Sequence, residues 1–285
     1  MSKSEIVYIN GEYHSKAEAR ISILDRGFLF GDGVYELIPV YNGNAFYIES
    51  HLERLRSSLS LINIDSSKIV NEKLSEIILN IIKKNNYINH YIYIHISRGA
   101  DLKRNHIYSN LIKPTVLVMG EDYKPFDEEE IKTGKKAVTE NDYRWLKSNI
   151  KSTSLLANVL IKNYASDNAA YEALLIRDGQ LTEGSASNVF IVKDDVIKTP
   201  TLSNKLLPGI TRKFLTDLIN ENNLILEECD ITEAELFNAD EIFCSSSTNP
   251  VVPIVKVNNE LISESSGPVS MGLYYLAKSF ISNLK

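Results

Sequence analysis

Two residues of this 285-residue chain have types and surroundings that suggest catalysis, Lys151 and Glu183. Lys151 lies in a polar stretch just before an apolar helical pattern, and a lysine at the mouth of a helix is a candidate Schiff-base former. Glu183 begins a turn of small residues, where a carboxylate could contact the ring nitrogen of a cofactor. Together they favour pyridoxal phosphate chemistry, in which a lysine carries the aldehyde and then moves protons.

Two further segments are candidates for binding a phosphate. Gly209, Ile210 and Thr211 directly precede a helical pattern, so their backbone N–H groups are available to an anion. A run of hydroxyl residues at 245–248, which includes Ser246 and Ser247, follows an apolar strand-like segment. Neither segment has the lysine of a Walker motif, which excludes a nucleoside triphosphate site of that kind. Considered alone, Gly209 is more simply a turn residue and Thr211 a helix cap.

Candidate anion-binding side chains also occur in the first half of the chain. Three glycines between positions 27 and 33 predict a tight turn between strands, or a backbone that is closely approached. Arg54 lies on the polar side of a helical pattern and could reach an anion. Arg104 and His106 stand two apart in a polar loop and could grip a carboxylate, although a solvated loop is favoured when the segment is considered alone.

Composition and charge exclude several classes of protein. The chain is 44% hydrophobic and 24% charged, as in an ordinary globular protein, and its net charge of −6 argues against a general nucleic-acid surface. Cys229 and Cys244 are too few for a disulfide framework, and their neighbours offer no metal-ligand spacing. Neither a signal peptide nor an apolar run of membrane-spanning length is visible. These features predict a cytoplasmic enzyme without a metal, a membrane partner or a nucleic-acid partner.

Hydrophobic patterns predict an α+β fold, because strands and helices do not alternate regularly. Turn signals at Asn42-Gly43 and at Asp178-Gly179 predict hairpins, and helices are expected at about 154–165 and 210–220. The acidic stretch 121–131 is the best connector between domains. We therefore expect a small α+β domain at 1–120 and a larger α+β domain at 132–285, which carries Lys151.

Several of these segments form an ordered set whose spacing is highly specific. The set comprises Asp25-Arg26-Gly27, residues 30–36, residues 51–55, Ile150-Lys151-Ser152, residues 182–184, residues 187–190 and residues 209–212. In this set the chain resembles the fold-type IV (class IV) pyridoxal-phosphate aminotransferases, and within them the bacterial D-amino acid aminotransferases. The resemblance covers nearly the whole chain and implies the two-domain architecture of that family.

The resemblance implies a role for each candidate residue. Lys151 is expected to form the internal aldimine with pyridoxal 5'-phosphate and to shuttle a proton between substrate Cα and the cofactor C4′. Glu183 is expected beside the pyridine nitrogen, where it favours the pyridinium. The residues implied in phosphate binding or in closing on the cofactor are Arg54, Ile210, Thr211, Ser246 and Ser247.

Substrate choice is implied by a second group of residues. Tyr35, Arg104 and His106 match the residues that hold the substrate α-carboxylate in D-amino acid aminotransferases. In those enzymes the loop with the last two residues comes from the neighbouring subunit, so a homodimer is implied. The expected reaction converts D-alanine and 2-oxoglutarate to pyruvate and D-glutamate.

Alternative functions share the same lysine and glutamate. A 4-amino-4-deoxychorismate lyase, a branched-chain L-amino acid transaminase, an (R)-amine transaminase and a non-catalytic relative all stay open at this stage. The residues after Tyr35 differ from the usual branched-chain pattern, and the loop argues against an amine substrate without a carboxylate. Lys151 argues against a non-catalytic relative. Pro39 and Ala186 depart from the D-amino acid pattern, which has lysine and serine at these positions.

Overall fold

A computed structural model describes residues 5–69 and 74–284, which divide into two compact units. Within these ranges, the first unit comprises residues up to 123, residues 150–155 and residue 284, and the second comprises residues 124–149 and 156–283. The division falls inside the predicted connector. Lys151, however, belongs to the first unit, whereas the sequence suggested that the C-terminal domain carries it. Backbone pairing explains this, because the Tyr35 N–H donates to the Lys151 carbonyl at 2.9 Å.

The first unit is a mixed layer of helices on one antiparallel sheet. Its described elements are β1 (Ile6–Ile9), β2 (Glu12–Ser15), α1 (Arg26–Phe30), β3 (Gly33–Tyr41), β4 (Asn44–Ala45), α2 (Ile48–Leu61), a 3-10 turn (Ser66–Lys68), α3 (Leu74–Asn85), β5 (His90–Ser97) and β6 (Thr115–Asp122). Its strands follow the order β2-β1-β6-β5-β3-β4. The Asn42-Gly43 hairpin is confirmed, since β3 pairs with β4 across it.

Alternation along β3 and β5 gives the sheet of the first unit two different faces. Ile92, Ile94 and Ile96 of β5 are fully buried in a core that also contains the apolar faces of α2 and α3. Residues between them point to the opposite face, as the period of two requires. Tyr35 lies on that face, paired across the strands with His95. One face of the sheet therefore forms the core, while the other face carries Tyr35 and can bind polar groups.

The second unit is built on a mixed sheet with helices around it. Its described elements are α4 (Glu128–Thr133), β7 (Lys135–Asn141), α5 (Leu156–Asp167), β8 (Glu172–Arg177), β9 (Gln180–Gly184), β10 (Asn188–Lys193), β11 (Val196–Thr199), α6 (Ile210–Glu221), β12 (Ile225–Glu228), α7 (Glu233–Phe237), β13 (Glu241–Ser245), β14 (Val252–Val257), β15 (Glu260–Leu261) and α8 (Pro268–Ser282). The order is β12-β11-β10-β13-β14-β7-β8-β9, with β15 on β14.

Local chemistry accounts for several of these boundaries. β8 and β9 pair across Asp178-Gly179, where both residues have positive φ, so that predicted hairpin is confirmed. Thr232 and Glu235 form a capping box at the start of α7. The mixture of parallel and antiparallel pairs confirms the α+β class. Among the described residues, we find no helix with the length and apolarity needed to cross a membrane.

Candidate active site

Lys151 lies against β3 in the first unit. Its Nζ stands over the ring of Tyr35, 4.2 Å from the ring centroid, and its backbone N–H donates to the Ser58 hydroxyl of α2 at 3.2 Å. Ile150 before it is buried in the core of the unit. Strand pairing and a buried neighbour thus fix the backbone of Lys151, while its ammonium lies on the aromatic face of Tyr35. Two of the predicted site residues are therefore brought into contact.

A buried carboxylate next to Tyr35 anchors Arg54. Glu36 is fully buried on the core face of β3, and it accepts bonds from Arg54 Nε at 2.7 Å and Nη2 at 2.8 Å. His51, also buried, lies 2.7 Å from the same carboxylate through Nδ1. Burial raises the pKa of Glu36, but Arg54 and His51 outweigh it and bring the pKa to about 2. Burial lowers the pKa of His51, and the charges of Arg54 and Lys151 add to this lowering, while Glu36 opposes it. The cluster is therefore an ionised Glu36 that holds Arg54 in place.

Arg104 and His106 share one neighbour in the loop between β5 and β6. The Arg104 guanidinium lies 5.0 Å from the centroid of the Phe30 ring, and the His106 ring lies 5.3 Å from it. Both residues are exposed. The structure therefore places these two predicted residues together at the end of α1, where the side chains of both lie against the Phe30 ring.

Glu183 is the centre of a buried network in the second unit. Its carboxylate accepts bonds from Arg144 Nη1 at 2.6 Å, from the Leu207 N–H at 3.0 Å and from Asn188 Nδ2 at 3.3 Å. Arg144 is shared with Asp142, which accepts from it at 2.9 Å and 3.1 Å. Burial raises the pKa of Glu183 to about 7, even though Arg144 and the Leu207 amide lower it. This carboxyl can thus change its protonation near neutral pH.

Helix α6 begins close to the Glu183 network. Ile210 and Thr211 are its first two residues and are buried, and Gly209 before them provides no side-chain cap. A side chain at position 209 would meet Asn188, because an added Cβ would lie 1.9 Å from its Oδ1. Asn188 bonds both Glu183 and the carbonyl of Leu207. The first N–H groups of α6 therefore lie close to Asn188 and Leu207, which bind Glu183. The N-terminus of a helix attracts anions.

Ser246 and Ser247 lie in the turn that follows β13 and are half-buried. Ser246 accepts from the Asn249 N–H at 3.3 Å and lies 3.3 Å from the Thr248 hydroxyl. These contacts shape the turn itself. Its backbone is further closed by the Ser246 N–H, which donates to the Asn249 carbonyl at 3.1 Å.

The two departures from the D-amino acid pattern lie among residues with defined contacts. Pro39 is buried in β3, and its carbonyl accepts from the Phe46 N–H at 2.8 Å. Ala186 is exposed, while its neighbours Ser185 and Ser187 are buried and both donate to Glu172. The hydroxyl that Ala186 lacks is therefore not one of the two that hold this turn.

Sequence reasoning assigned no role to the partners of the predicted residues. The burial of Glu36 could have been predicted from the sequence. Glu36 lies two positions from both Val34 and Ile38 on a strand, so the three side chains share one face, and that face is the apolar one. No sequence pattern predicts that Arg144 and Asp142 lie near Glu183. They follow β7 and meet Glu183 through pairing of β7 with β8 and of β8 with β9, which the local pattern does not reveal.

Comparison with known proteins gives a consistent result. The family model described as "Amino-transferase class IV" matches residues 33–257. A D-alanine aminotransferase of Staphylococcus haemolyticus is 39% identical over 270 residues, covering 94% of this chain and 94% of that protein. A D-alanine aminotransferase of Bacillus licheniformis is 40% identical over 266 residues, covering 93% of each.

Solved structures with the same fold include branched-chain amino acid aminotransferases. A branched-chain amino acid aminotransferase of Escherichia coli superposes with a TM-score of 0.90 at 23% identity, covering 99% of this chain and 95% of that one. A branched-chain aminotransferase of the archaeon Thermoproteus uzoniensis, solved with norvaline, gives a TM-score of 0.88 at 23% identity, covering 98% of this chain and 95% of that one. At this identity the likeness establishes the fold.

Proposed function

This chain belongs to the amino-transferase class IV family, and we propose that it transfers the amino group of D-amino acids to 2-oxo acids. The expected reaction converts D-alanine and 2-oxoglutarate to pyruvate and D-glutamate. The identity with D-alanine aminotransferases over nearly the whole chain supports this choice of substrate. The observation that carries the chemistry is the Lys151 ammonium, held 4.2 Å from the Tyr35 ring centroid on a backbone fixed by β3.

The enzyme is dependent on pyridoxal 5'-phosphate, and its donor set fits that cofactor. An amine for the aldehyde is present in Lys151, a cation for the phosphate in Arg54, and a buried carboxyl for the ring nitrogen in Glu183. When bound, the cofactor supplies an aldehyde that accepts the amino group and a pyridine ring that withdraws electrons from Cα. We assign the phosphate to Arg54, to the first N–H groups of α6 at Ile210 and Thr211, and to Ser246 and Ser247.

Each remaining residue has a defined task in this proposal. Lys151 binds the aldehyde at rest and afterwards moves the proton at substrate Cα. Glu183 would accept a hydrogen bond from the protonated ring nitrogen, and its ionised form would favour that protonation. Tyr35, Arg104 and His106 bind the α-carboxylate, and binding it on one side presents a single Cα hydrogen to Lys151.

We further propose that two copies of the chain associate. The loop with Arg104 exposes three large apolar side chains, Leu102 at 95%, Ile107 at 80% and Leu111 at 89%. Apolar side chains grouped in this way favour a protein partner. As the family resemblance implies, the loop of one copy would then serve the substrate carboxylate in the other. Light scattering of the purified protein should give the mass of a dimer, and a monomer would contradict this part of the proposal.

The reducing cytoplasm is the proposed compartment, because the two cysteines are free rather than paired.

Paired D- and L-amino acids test the substrate proposal directly. The holoenzyme should lose its yellow absorbance with D-alanine and keep it with L-leucine. A response to L-leucine alone would instead indicate a branched-chain transaminase. Pyruvate released from 4-amino-4-deoxychorismate without any oxo acid would indicate the lyase.

Lys151→Ala tests the mechanism. We expect this variant to have no measurable transamination and a normal circular dichroism spectrum, because the ammonium is lost while the backbone pairing remains. Lys147→Ala, which changes an exposed lysine four residues earlier, is the matched control and should retain activity. Normal turnover in the Lys151 variant would refute the mechanism.

A further inference from the structure

The loop at 101–112 depends on groups outside itself for its conformation. The described hydrogen bonds within the loop join residues close together in the sequence, such as the bond from the Ile107 N–H to Asn105 Oδ1 at 3.2 Å. The apolar side chains that it exposes give it no core of its own. Ordering such a segment has a substantial entropic cost, which contacts from elsewhere must offset.

Two buried arginines supply those contacts. Arg26 of α1 donates to the carbonyl of Asn105 and, at 3.0 Å, to the carbonyl of His106. Arg98 at the end of β5 lies with its guanidinium 3.9 Å from the centroid of the Tyr108 ring. Arginines of this kind hold backbone and aromatic groups in a fixed geometry.

A single carboxylate, Asp32, aligns both arginines. Its Oδ2 accepts from Arg26 Nε at 2.8 Å and from Arg98 Nε at 2.9 Å, and its Oδ1 accepts from Arg98 Nη2 at 3.0 Å. The side chains of Arg26 and Arg98 are only 5% and 9% exposed, so water can replace little of what Asp32 gives them. Without the negative charge, two positive groups that share one oxygen would repel each other.

The same cluster is tied to the end of helix α2. Arg98 donates to the carbonyl of Ile62 at 2.7 Å and to that of Asn63 at 3.2 Å, directly after α2 ends. A cation at this end of a helix is favourable. The cluster therefore connects the loop to a rigid element of the first unit, the helix that carries Arg54.

We propose that Asp32 is a positioning residue for substrate binding: through Arg26 and Arg98 it fixes the loop backbone that presents Arg104 and His106. This inference rests on the proposed function, in which those two residues bind the substrate carboxylate. In this proposal Asp32 acts on the substrate only through Arg26, Arg98 and the loop. Its effect is confined to the geometry of the loop.

Hydrogen exchange of the free holoenzyme tests the structural part without any substrate. In Asp32→Asn, amides of residues 101–112 should exchange at least about tenfold faster than in the wild type, because the loop opens more often. Glu121→Gln, which changes a half-exposed ion pair with Lys16, should leave the exchange of this loop unchanged. Unchanged exchange in Asp32→Asn would overturn the proposal.

Tyr108 provides a second variant that leaves the core intact. Tyr108→Ala removes the ring that Arg98 contacts and should also raise exchange in the loop. Tyr108→Phe keeps the ring and should restore wild-type exchange. Equal exchange in Tyr108→Ala and the wild type would overturn the proposal even if Asp32→Asn failed to fold.

A double-mutant cycle tests the route to the substrate. Asp32→Asn should raise KM for D-alanine about tenfold with a much smaller change in kcat, because carboxylate binding is weakened. In the Arg104→Ala background the same change should add little, since the residue it positions is gone. Independent effects that multiply would show that Asp32 acts elsewhere. If the wild type did not transaminate D-alanine at all, the proposed function would fail, while the exchange experiment would still decide on the loop.

Discussion

Glu36 in the first unit and Glu183 in the second are both buried carboxyls paired with an arginine, yet their pKa values move in opposite directions. The pKa of Glu36 falls to about 2, whereas that of Glu183 rises to about 7. Burial raises both. For Glu36 the contacts with Arg54 and His51 outweigh burial, whereas for Glu183 burial outweighs Arg144 and the charge of Asp142 adds to it. This separates a carboxylate that supports the site from one that is suited to exchange a proton.

Arg54 gives two hydrogen bonds to Glu36, and His51 adds a third contact. Arg144 gives one bond to Glu183 and two others to Asp142, whose own charge further raises the pKa of Glu183. An arginine shared between two carboxylates stabilises each of them less. Pairing with an arginine therefore does not by itself determine the ionisation of a buried acid.

Glu36→Gln should have the largest effect, because it leaves Arg54 buried without its carboxylate. We expect the free energy of unfolding to fall by about 3–5 kcal/mol, as measured by urea denaturation at pH 7. Glu121→Gln in the half-exposed pair with Lys16 should cost under about 1 kcal/mol. Equal losses in the two variants would show that Glu36 is no stronger an anchor than a surface ion pair.

Glu183→Gln should chiefly affect catalysis. A neutral amide cannot stabilise a protonated ring nitrogen, so we expect kcat to fall by about 10²–10³-fold while the fold is retained. Single-turnover rates with D-alanine measure this. A kcat within twofold of the wild type would mean that the raised pKa of Glu183 has no catalytic use.

Asp142→Asn tests the cause of the opposite shifts, and the quantity it changes least is the pH midpoint of the Glu183 titration. The overall free energy of unfolding should also fall, because the buried Arg177 loses the Asp142 carboxylate that it contacts at 2.9 Å. Because the pKa of Glu183 is raised in the folded protein, its contribution to stability is full below the unfolded value of 4.5 and is lost as the pH rises through about 7. Removing Asp142 releases Arg144 to Glu183, so the midpoint of this loss should move down by about one pH unit, on the order of 1.4 kcal/mol. Urea denaturation of the apoprotein between pH 4 and pH 9 measures this midpoint. Glu183→Gln, which lacks the titrating carboxyl, is the control. An unchanged or higher midpoint would contradict the explanation given for the two acids.

The glycine-rich segment shows where sequence patterns reach their limit. Three glycines predicted a turn, but residues 26–30 form the short helix α1, capped by the Asp25 side chain and closed by Gly31 at φ 65°. Gly33 then begins β3. The glycines serve as boundaries, and the residues between them form an element too short for a periodic pattern to reveal.

The sequence by itself determined the α+β class, the main hairpins, the family and the identity of Lys151 and Glu183 as the residues to examine. Hydrophobic alternation, turn residues and ordered motifs are local signals, so they survive without coordinates. Only the tertiary structure decided that Lys151 packs with β3, that Asp32 joins two arginines to one loop, and that Arg144 is divided between Asp142 and Glu183. These are contacts between residues far apart in the chain, and the protonation of a buried acid depends on all of its neighbours together.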